Sequence, residues 1–583
     1  MNAETFCEQF ATFAEAPNGV AKLRELILQL AVQGKLVPQD VNDEPAGVLI
    51  GRIEKRKSEL IRQALIPKPS AFPAVSEDNL PFSIPTGWQW IRLESVCEII
   101  TKGSSPTWQG VQYVDANDGV LFVTSENVGN YVLRKMDEPK YVERKFNEME
   151  PRSILQRDDL LVNLVGASIG RSAIYDRDDV ANINQAVGII RLVRGDIALD
   201  RWYLLHYLNS PVSLRIMFEE QVETARANLS LTNMKHFLVP LPPLAEQRRI
   251  VGKVDQLLGL CDELAARQAA RREARSALVG ATLDRLVSAR SAAEFPAHAH
   301  RLRDHFDRLF DTPTTLPQLR QAILQLAVQG QLVPQDPNDE PVETLLITAE
   351  RKKAKWEGPI DEQEVPFQLP PSWKWFRLGD ISMLKHGYAF SSQFFTSEPA
   401  PFVLTTPGNF YEKGGFRDRE SKRKYYSGPV DPEFILKPGD LIIPMTEQAA
   451  GLLGSPAFIP DDGRVYVHNQ RLGKLSFSEL IAPEFAFWFF NSEFFRGELA
   501  RTCTGMKVRH TSPDRVLRVP FPVPPLSEQK RIVSKVTELL SLCDALEAKL
   551  TQAESASTQL LSAAVHHLLS DSTANGKAAS CPM

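Results

Sequence analysis

A stretch of 24 residues occurs twice and constrains the fold of this chain more than any other feature. Residues 241–264 read LPPLAEQRRIVGKVDQLLGLCDEL, and residues 523–546 read VPPLSEQKRIVSKVTELLSLCDAL. Each copy opens on a Pro pair, which disfavours helix before it and permits helix after it. Apolar residues then recur in steps of four and three, as at the a and d positions of a coiled coil. Each copy therefore predicts a long helix that needs a partner, and the simplest partner is the other copy.

The seam positions of this predicted coiled coil are the same in both copies. They are Ile250, Val254, Leu257, Cys261 and Leu264, followed 282 positions later by Ile532, Val536, Leu539, Cys543 and Leu546.

Three further stretches are also duplicated, so the repeat extends over the whole chain. The run ILQLAVQG lies within both 23–45 and 319–341, and PTGWQWIRL at 85–93 matches PPSWKWFRL at 370–378. An Asn-Gln pair occurs at 184–185 and again at 469–470. The ILQLAVQG segments have a helical apolar face, and Gly34 and Gly330 stand where a glycine would end each helix. The chain is thus a tandem duplication.

The repeats predict an order of helix, linker, globular domain and long helix in each half. Short β-type runs and one helix in each globular segment indicate mixed, strand-rich α/β domains. About 45 helical residues after Leu244 would make a rod of roughly 65 Å. The predicted boundaries are 1–60 (helical segment), 61–81 (linker), 82–243 (first globular domain), 244–350 (central helical region), 351–365 (linker), 366–525 (second globular domain), 526–569 (C-terminal helix) and 570–583 (disordered tail).

Composition limits the class of protein. The 583 residues are 43% apolar and 24% charged, which is typical of a multidomain globular protein. Six Cys without paired spacing favour a reducing compartment and do not suggest zinc. The first residues lack the pattern of a signal peptide and no run is long enough for a membrane span, so we expect a cytoplasmic protein. A net charge of −5 and a pI near 6.1 argue against a free-standing nucleic-acid binder.

The duplicated ILQLAVQGKLVPQ and PPLxEQxRIVxKV motifs resemble the specificity subunit of type I restriction–modification systems. The resemblance covers nearly the whole chain and both halves. It implies an α+β protein with an internal pseudo-twofold repeat, in which two long antiparallel helices form a coiled coil. The globular domains would be two target-recognition domains, each reading one half of a bipartite sequence in double-stranded DNA.

The resemblance also implies partners. The repeated helical segments would dock two methyltransferase (M) subunits, and two restriction (R) subunits would join them. S-adenosylmethionine, ATP and Mg²⁺ are expected on those partners, and this chain would need no cofactor or metal and catalyse nothing. The sequence agrees, because it lacks a phosphate-binding GxxxxGK[ST] loop, a GxSxG elbow and an HExxH motif. Since the chain is acidic, we expect weak DNA binding without the M subunits, which would supply phosphate contacts.

Polar loop residues that differ between the two halves are the candidates for DNA contact, because two half-sites need not be alike. In the first domain they are Lys102, Ser104, Ser105, Thr107, Ser125, Asn127, Arg171, Arg226 and Asn228. In the second they are Lys385, His386, Tyr388, Thr406, Asn409, Lys422, Arg423, Lys424, Gln448, Arg501, Lys507, Arg509 and His510. By contrast, Trp88, Trp90, Trp373 and Trp375 are repeated, which favours packing in the frame.

The start of each long helix has two interpretations. One is partner docking and the other is a local role at the helix start. The residues are Glu246, Gln247, Arg248, Glu528, Gln529 and Lys530.

Three alternatives to the main hypothesis stay open on sequence alone. The chain could be a two-headed scaffold that binds proteins or polysaccharide instead of DNA. It could be an enzyme with half-sites in the globular domains, although the missing motifs argue against this. It could also be the specificity subunit of a related phage-defence system with other partners.

Overall fold

The structure is a computed structural model, and it divides the chain into two compact units. Unit 1 comprises residues 1–271 together with 554–583, and unit 2 comprises residues 272–553. The residues that the structure describes are 14–69, 75, 80–195, 199–219, 228–289, 294–340, 342, 360, 364–365, 367–447, 449–503 and 509–571.

The helices include two long ones that begin at the duplicated Pro-Pro motifs. The first half contains α1 (Gly19–Val32), α2 (Ala46–Arg62), α3 (Lys145–Met149), α4 (Arg201–Leu208), α5 (Pro211–Glu219), α6 (Leu231–His236) and α7 (Leu244–Val287). The second half contains α8 (Glu294–Asp304), α9 (Phe306–Leu309), α10 (Leu316–Val328), α11 (Leu378–Ile381), α12 (Pro483–Asn491), α13 (Glu493–Thr502), α14 (Pro513–Leu517) and α15 (Leu526–Asp571). The prediction of a long helix from Leu244 to about residue 288 is confirmed.

The strands are short and lie mainly within the two predicted globular segments. In unit 1 they are β1 (Gln89–Arg92), β2 (Cys97–Lys102), β3 (Tyr113–Val114), β4 (Gly119–Val123), β5 (Lys140–Glu143), β6 (Leu160–Asn163), β7 (Ser172–Ile174), β8 (Ala181–Ile183), β9 (Val187–Leu192) and β10 (Leu238–Leu241). In unit 2 they are β11 (Lys374–Arg377), β12 (Ser382–His386), β13 (Phe395–Thr396), β14 (Phe402–Thr405), β15 (Tyr425–Tyr426), β16 (Ile435–Leu436), β17 (Leu441–Pro444), β18 (Ala457–Phe458), β19 (Tyr466–His468), β20 (Leu472–Phe477) and β21 (Pro520–Val523).

Both units build their domain on one plan. Unit 1 has sheets of order β2-β9-β6-β7 and β3-β5-β4-β8, and unit 2 has β12-β20-β17-β18 and β13-β15-β14-β19-β16. In each second sheet one pair is parallel, β4 with β8 and β14 with β19, whereas the other pairs are antiparallel. The duplication seen in the sequence is therefore also a duplication of topology.

Each domain is closed by a two-stranded ladder between its first and last strands. Trp90 lies opposite Pro240 in the β1–β10 ladder, and Trp375 lies opposite Pro522 in the β11–β21 ladder. Because the chain enters and leaves each domain through this ladder, the strands between form a closed module directly before the long helix. The domain boundaries given above stay predictions, but β1 to β10 lie inside 82–243 and β11 to β21 inside 366–525.

The helical seam of unit 1 changes partners along its length. Ile250 and Val254 are fully buried in the cluster that contains the domain core. Further along, Cys261 lies in a separate cluster with Leu23 of α1 and with Leu561 of α15. Ile250, Val254 and Cys261 are buried as predicted, whereas Leu257 and Leu264 are half-buried. Cys261 packs on α1 and on the part of α15 beyond residue 546, so its partner is not the other 24-residue copy.

Unit 2 repeats this arrangement with its own segments. Ile532, Val536 and Cys543 are buried in one continuous cluster that includes Ile323 of α10 and Val279 of α7. Each unit therefore contains its own short helix, the beginning of one long helix and the end of the other.

Several local predictions have a clear outcome. Gly34 and Gly330 follow α1 and α10 with φ of 69° and 71°, so each ends its helix in the left-handed conformation as predicted. The prediction of one helix per globular segment was wrong, because α5, α6, α13 and α14 are also present. They span only five to ten residues, too short for a periodic signal. Most of the predicted linker 351–365 and residues 572–583 of the predicted tail lie outside the described residues.

No helix among the described residues is both long and apolar enough to cross a membrane. The same part of the chain contains no group of three His, Cys, Asp or Glu residues arranged to hold a metal ion.

Candidate nucleic-acid interface

The loop after β2 is held tightly against the loop after β8 in unit 1. A Cβ on Gly103 would collide with the carbonyl oxygen of Ile183, so only glycine fits this close approach. The next position, Asn184, forms the repeated Asn-Gln turn, in which its Oδ1 accepts from Ala186 N at 3.1 Å. The same contact recurs in unit 2, where Gly387 meets the carbonyl of Asn469. The repeated Asn-Gln pair is therefore a frame element that supports a variable loop.

The loop after β4 joins this group through Asn163, at the end of β6. Asn163 Nδ2 donates to Ser125 O at 2.9 Å. Within the loop, Asn127 Oδ1 accepts from Thr124 N at 2.9 Å and from Thr124 Oγ1 at 3.0 Å. These bonds fix the loop backbone from inside.

The loop after β6 meets the segment before β10. Val165 and Asn228 form an antiparallel bridge, and Leu229 N donates to Leu164 O at 2.8 Å. The turn has φ of 73° at Gly166 and 83° at Gly170, and it leaves Arg171 exposed. In unit 2, Thr446 bridges to His510 in the same way. Loops that are far apart in sequence thus converge in each domain.

The predicted residues of unit 1 separate into exposed and internally bonded ones. Ser104 Oγ donates to Glu150 and accepts from Gln109 Nε2 at 2.9 Å. Asn127 is 7% exposed and its amide also donates to Arg134 O at 3.1 Å. Both serve their own loops, and Arg226 lies outside the described residues. Ser105 and Ser125 are half-buried, and the exposed residues are Lys102, Thr107, Arg171 and Asn228.

The residues of unit 2 separate in the same way. Lys385 Nζ donates to Glu433 Oε2 at 2.7 Å, and Arg423 Nε donates to Asp418 Oδ1 at 2.6 Å. Arg501 is paired with Glu498. Asn409 holds Thr406 as Asn127 holds Thr124. Gln448 and Lys507 lie outside the described residues, and the exposed residues are His386, Tyr388, Lys422, Lys424, Arg501, Arg509 and His510.

Arg509 and His510 also have neighbours in unit 2. Arg509 Nε lies 3.6 Å from Glu447 Oε2, and His510 Nδ1 lies 3.3 Å from Thr446 Oγ1. The two residues therefore lie against the loop that follows β17.

Glu246, at the start of the long helix, forms a hydrogen-bonded knot with Gln39 and Trp88, in which Glu246 and Trp88 are buried. Glu246 is 1% exposed; its carboxylate accepts from Trp88 Nε1 at 2.9 Å and from Gln39 Nε2 at 2.7 Å. Burial raises the pKa of Glu246, and the two hydrogen bonds act against that rise. The knot of unit 2 is the same, with Gln335, Trp373 and Glu528 at 2.6 and 2.9 Å.

The neighbouring glutamines link each long helix to the domain. Gln247 accepts from Asp200 N at 2.9 Å and donates to Pro242 O at 2.9 Å, and Gln529 does the same with Ala482 N and Pro524 O. Glu246, Gln247, Glu528 and Gln529 are buried and bonded within their own unit, which favours the local helix-start role over docking for these four residues. Arg248 and Lys530 are exposed, and docking stays a prediction for them.

An ion pair completes each knot and explains the repeated NDEP sequence. Arg249 binds Asp43 through two hydrogen bonds of 3.1 and 2.5 Å, and Arg531 binds Asp339 at 3.1 and 2.6 Å. The Arg531 hydrogen bond is the main cause of a lowered pKa at Asp339. The repeated segments are therefore bonded to one another within each unit.

The sequence did not reveal two features of unit 1. Trp108 is 85% exposed in the loop after β2, although its sequence neighbours were selected. Tyr131 OH lies 3.2 Å from His206 Nδ1, and His206 Nε2 lies 3.2 Å from Asp255 Oδ1 of α7. The exposed indole could have been noticed beside Thr107, whereas nothing in the sequence brings residues 131, 206 and 255 together.

The two strand-rich domains share one plan, and their converging loops carry different exposed side chains on a similar frame. These features define a duplicated recognition protein. The chain belongs to the type I restriction modification DNA specificity family, whose model matches residues 85–271 and 370–554. The role of the chain is accordingly DNA sequence recognition, as the resemblance implied.

Relatives of known type match over most of the chain. The specificity subunit of the type I restriction enzyme EcoAI from Escherichia coli is 31% identical over 91% of this chain and 90% of its own length. The EcoEI specificity subunit, also from Escherichia coli, is 28% identical over 94% and 93%. Among solved structures, the HsdS subunit from Thermoanaerobacter tengcongensis is 18% identical, covers 84% of this chain and 98% of its own, and has a TM-score of 0.37.

Proposed function

We propose that each domain of this chain reads one half of a bipartite sequence in double-stranded DNA. The observation that carries the proposal is the contrast between the repeated buried residues and the exposed residues of the converging loops. The knot residues and the Gly–Asn loop contacts are the same in both units, whereas the exposed side chains at the converging loops differ. A protein that recognises two different DNA half-sites with two similar domains needs a shared scaffold and different contact residues.

The chemistry of the exposed residues fits this role. Lys102 and Arg171 in unit 1, and Lys422, Lys424 and Arg509 in unit 2, are cations suited to phosphates or to guanine edges. Asn228 is an amide that suits adenine. Because the loops that carry them are fixed by internal hydrogen bonds, these side chains are presented without a large ordering cost.

We further propose that the chain acts in the cytoplasm as a non-catalytic subunit of a larger complex. Two M subunits would dock on it and two R subunits would join them, with S-adenosylmethionine, ATP and Mg²⁺ held by those partners. The net charge of −5 supports a division of labour in which the partners supply phosphate contacts. Exposed and repeated positions, such as Arg248 and Lys530, are candidates for the docking surface.

The experiment that tests this function is a domain exchange. Residues 82–243 are replaced by the matching domain of a relative, which moves the whole closed module from β1 to β10. The complex with its M subunit is produced in a host, and methylated adenines are mapped across the genome. One half of the methylated sequence should change and the other half should stay.

The matched control exchanges residues 366–525 and should change the other half only. If either exchange altered both halves, the two domains would not read independently. If the unmodified complex methylated no defined sequence, a DNA-reading role for this chain would be wrong.

A further inference from the structure

The largest exposed apolar side chain on the unit 1 edge is that of Trp108. It is 85% exposed in the loop after β2. An indole is one of the largest apolar groups in proteins, and such side chains are concentrated at binding surfaces when they are not in a core. Trp108 lies in the loop that directly follows the exposed cation Lys102, the last residue of β2.

The backbone under Trp108 is rigid. Residues 107–109 form one turn of 3₁₀ helix between Pro106 and Gly110, and Gly110 has a φ of 71°. Gln109 N donates to Pro106 O at 3.0 Å, and Val111 N donates to the same oxygen at 3.0 Å. Since Pro106 and Val111 are buried, the turn is anchored on both sides.

Side chains hold the same turn from below. Gln109 Nε2 donates to Ser104 Oγ at 2.9 Å and to Glu150 Oε1 at 2.5 Å, and Ser104 Oγ also bonds Glu150. Two polar residues of the loop thus bond to each other and to Glu150, and the indole of the loop stays in solvent. A preorganised loop of this kind loses little conformational entropy when the indole is covered.

We propose that Trp108 is a specificity-determining contact for DNA, which packs its indole against apolar base or sugar atoms in the half-site of the first domain. A thymine methyl group is the base feature that such a contact favours. The inference rests on the proposed function, and it names a residue and a chemistry that the family alone does not assign.

The absence of a repeat at this position favours DNA over a protein partner. Gly103 corresponds to Gly387, since both fit against the carbonyl after the matching strand. Trp108 lies five residues after Gly103, and the residue five positions after Gly387 in the second copy is Ser392. A subunit that docks once on each half should contact residues present in both copies. Trp108 has no counterpart in the second copy, which fits a contact with the half-site of the first domain alone.

The test measures binding of labelled duplexes by the complex of the full chain with its M subunit. The duplexes carry the methylated sequence mapped in the host, the same sequence with either half scrambled, or both halves scrambled. Trp108→Ala should weaken binding to the intact site by roughly 5- to 100-fold. On the duplex that lacks the half-site of the first domain, Trp108→Ala and the unmodified complex should bind equally. Trp108→Phe should recover part of the loss.

The matched control is Trp202→Ala, which removes a 42% exposed indole from α4 of the same unit. It should bind as the unmodified complex does, and circular dichroism and co-purification with the M subunit should be unchanged for every variant. An intact affinity for Trp108→Ala, or an equal loss on every duplex, would overturn the contact. Weaker association with the M subunit and unchanged sequence preference would make Trp108 a protein contact instead. If the unmodified complex failed to discriminate between the duplexes, the proposed function itself would fail.

Discussion

The knot at the start of the long helix allows a quantitative test of what holds a recognition domain to its helix. The perturbation is a double-mutant cycle of Trp88→Phe and Glu246→Ala, which removes first the donor, then the acceptor, then both. The two groups are joined by a hydrogen bond of 2.9 Å, and Glu246 is 1% exposed. Because the bond is shielded from water, its loss should be measurable.

The magnitude follows from what each change leaves behind. Glu246→Ala leaves the Trp88 N–H in a buried site without an acceptor, at a cost of about 1–3 kcal/mol. Gln39 is exposed and can bond to water, so it adds little. Trp88→Phe removes a hydrogen bond to a carboxylate, worth about 1.5–3 kcal/mol. The double variant should therefore cost about 1–2 kcal/mol less than the sum of the single variants.

The assay is hydrogen–deuterium exchange of the amides in the β1–β10 ladder. Unfolding of a chain with two units is not a single two-state process, so a local opening free energy is the better quantity. Trp373→Phe and Glu528→Ala provide the matched cycle in unit 2, read at the β11–β21 ladder. Each cycle should affect its own ladder.

Additive single-variant costs would refute the reasoning. A coupling below about 0.5 kcal/mol would mean that the Trp–Glu bond contributes nothing beyond packing. A cycle in unit 1 that lowered protection in both ladders equally would show that the knot does not act locally.

Two further predictions concern single residues. Gly34→Ala should destabilise unit 1 by about 2 kcal/mol or more, because its φ is 69° and an added Cβ would lie 2.8 Å from Pro85 Cδ. The control Gly252→Ala, where an added Cβ meets no neighbour, should stabilise unit 1 by about 0.5–1 kcal/mol. Local hydrogen exchange during a denaturant titration measures both changes in stability. Burial lowers the pKa of His468 to about 4 from an ordinary 6.5. Between these two pH values the unfolded chain binds a proton at His468 that the folded chain does not bind, so the stability of unit 2 should decrease as pH falls from 6.5 towards about 4. His468→Leu should remove that part of the acid sensitivity of β19 amide exchange, and an unchanged pH profile would contradict it.

The frame of this protein could be predicted from its sequence because its signals are local and occur twice. The Pro-Pro starts, the glycine ends of α1 and α10 and the β-type runs in the globular segments correspond to observed elements. Repetition strengthened each inference, since two copies of a pattern are improbable by chance.

The roles of single side chains could not be predicted, because they depend on burial and on distant neighbours. Asn127 and Arg423 were chosen as polar loop residues, yet one is buried and the other is bonded to Asp418. Glu246 reads as an ordinary first-turn carboxylate until Trp88, 158 positions away, donates to it. Sequence periodicity carries no information on such contacts, which arise only when the domain closes.

Unit 1 combines two segments that are distant in the sequence, and this affects when it can fold during synthesis. Leu561 and Ala564 complete the cluster around Leu23 and Leu26, so unit 1 includes residues that are synthesised after the whole of unit 2. Domains usually fold in the order of synthesis. Here the apolar face of α1 must stay uncovered until unit 2 and then the C-terminal part of α15 have been synthesised.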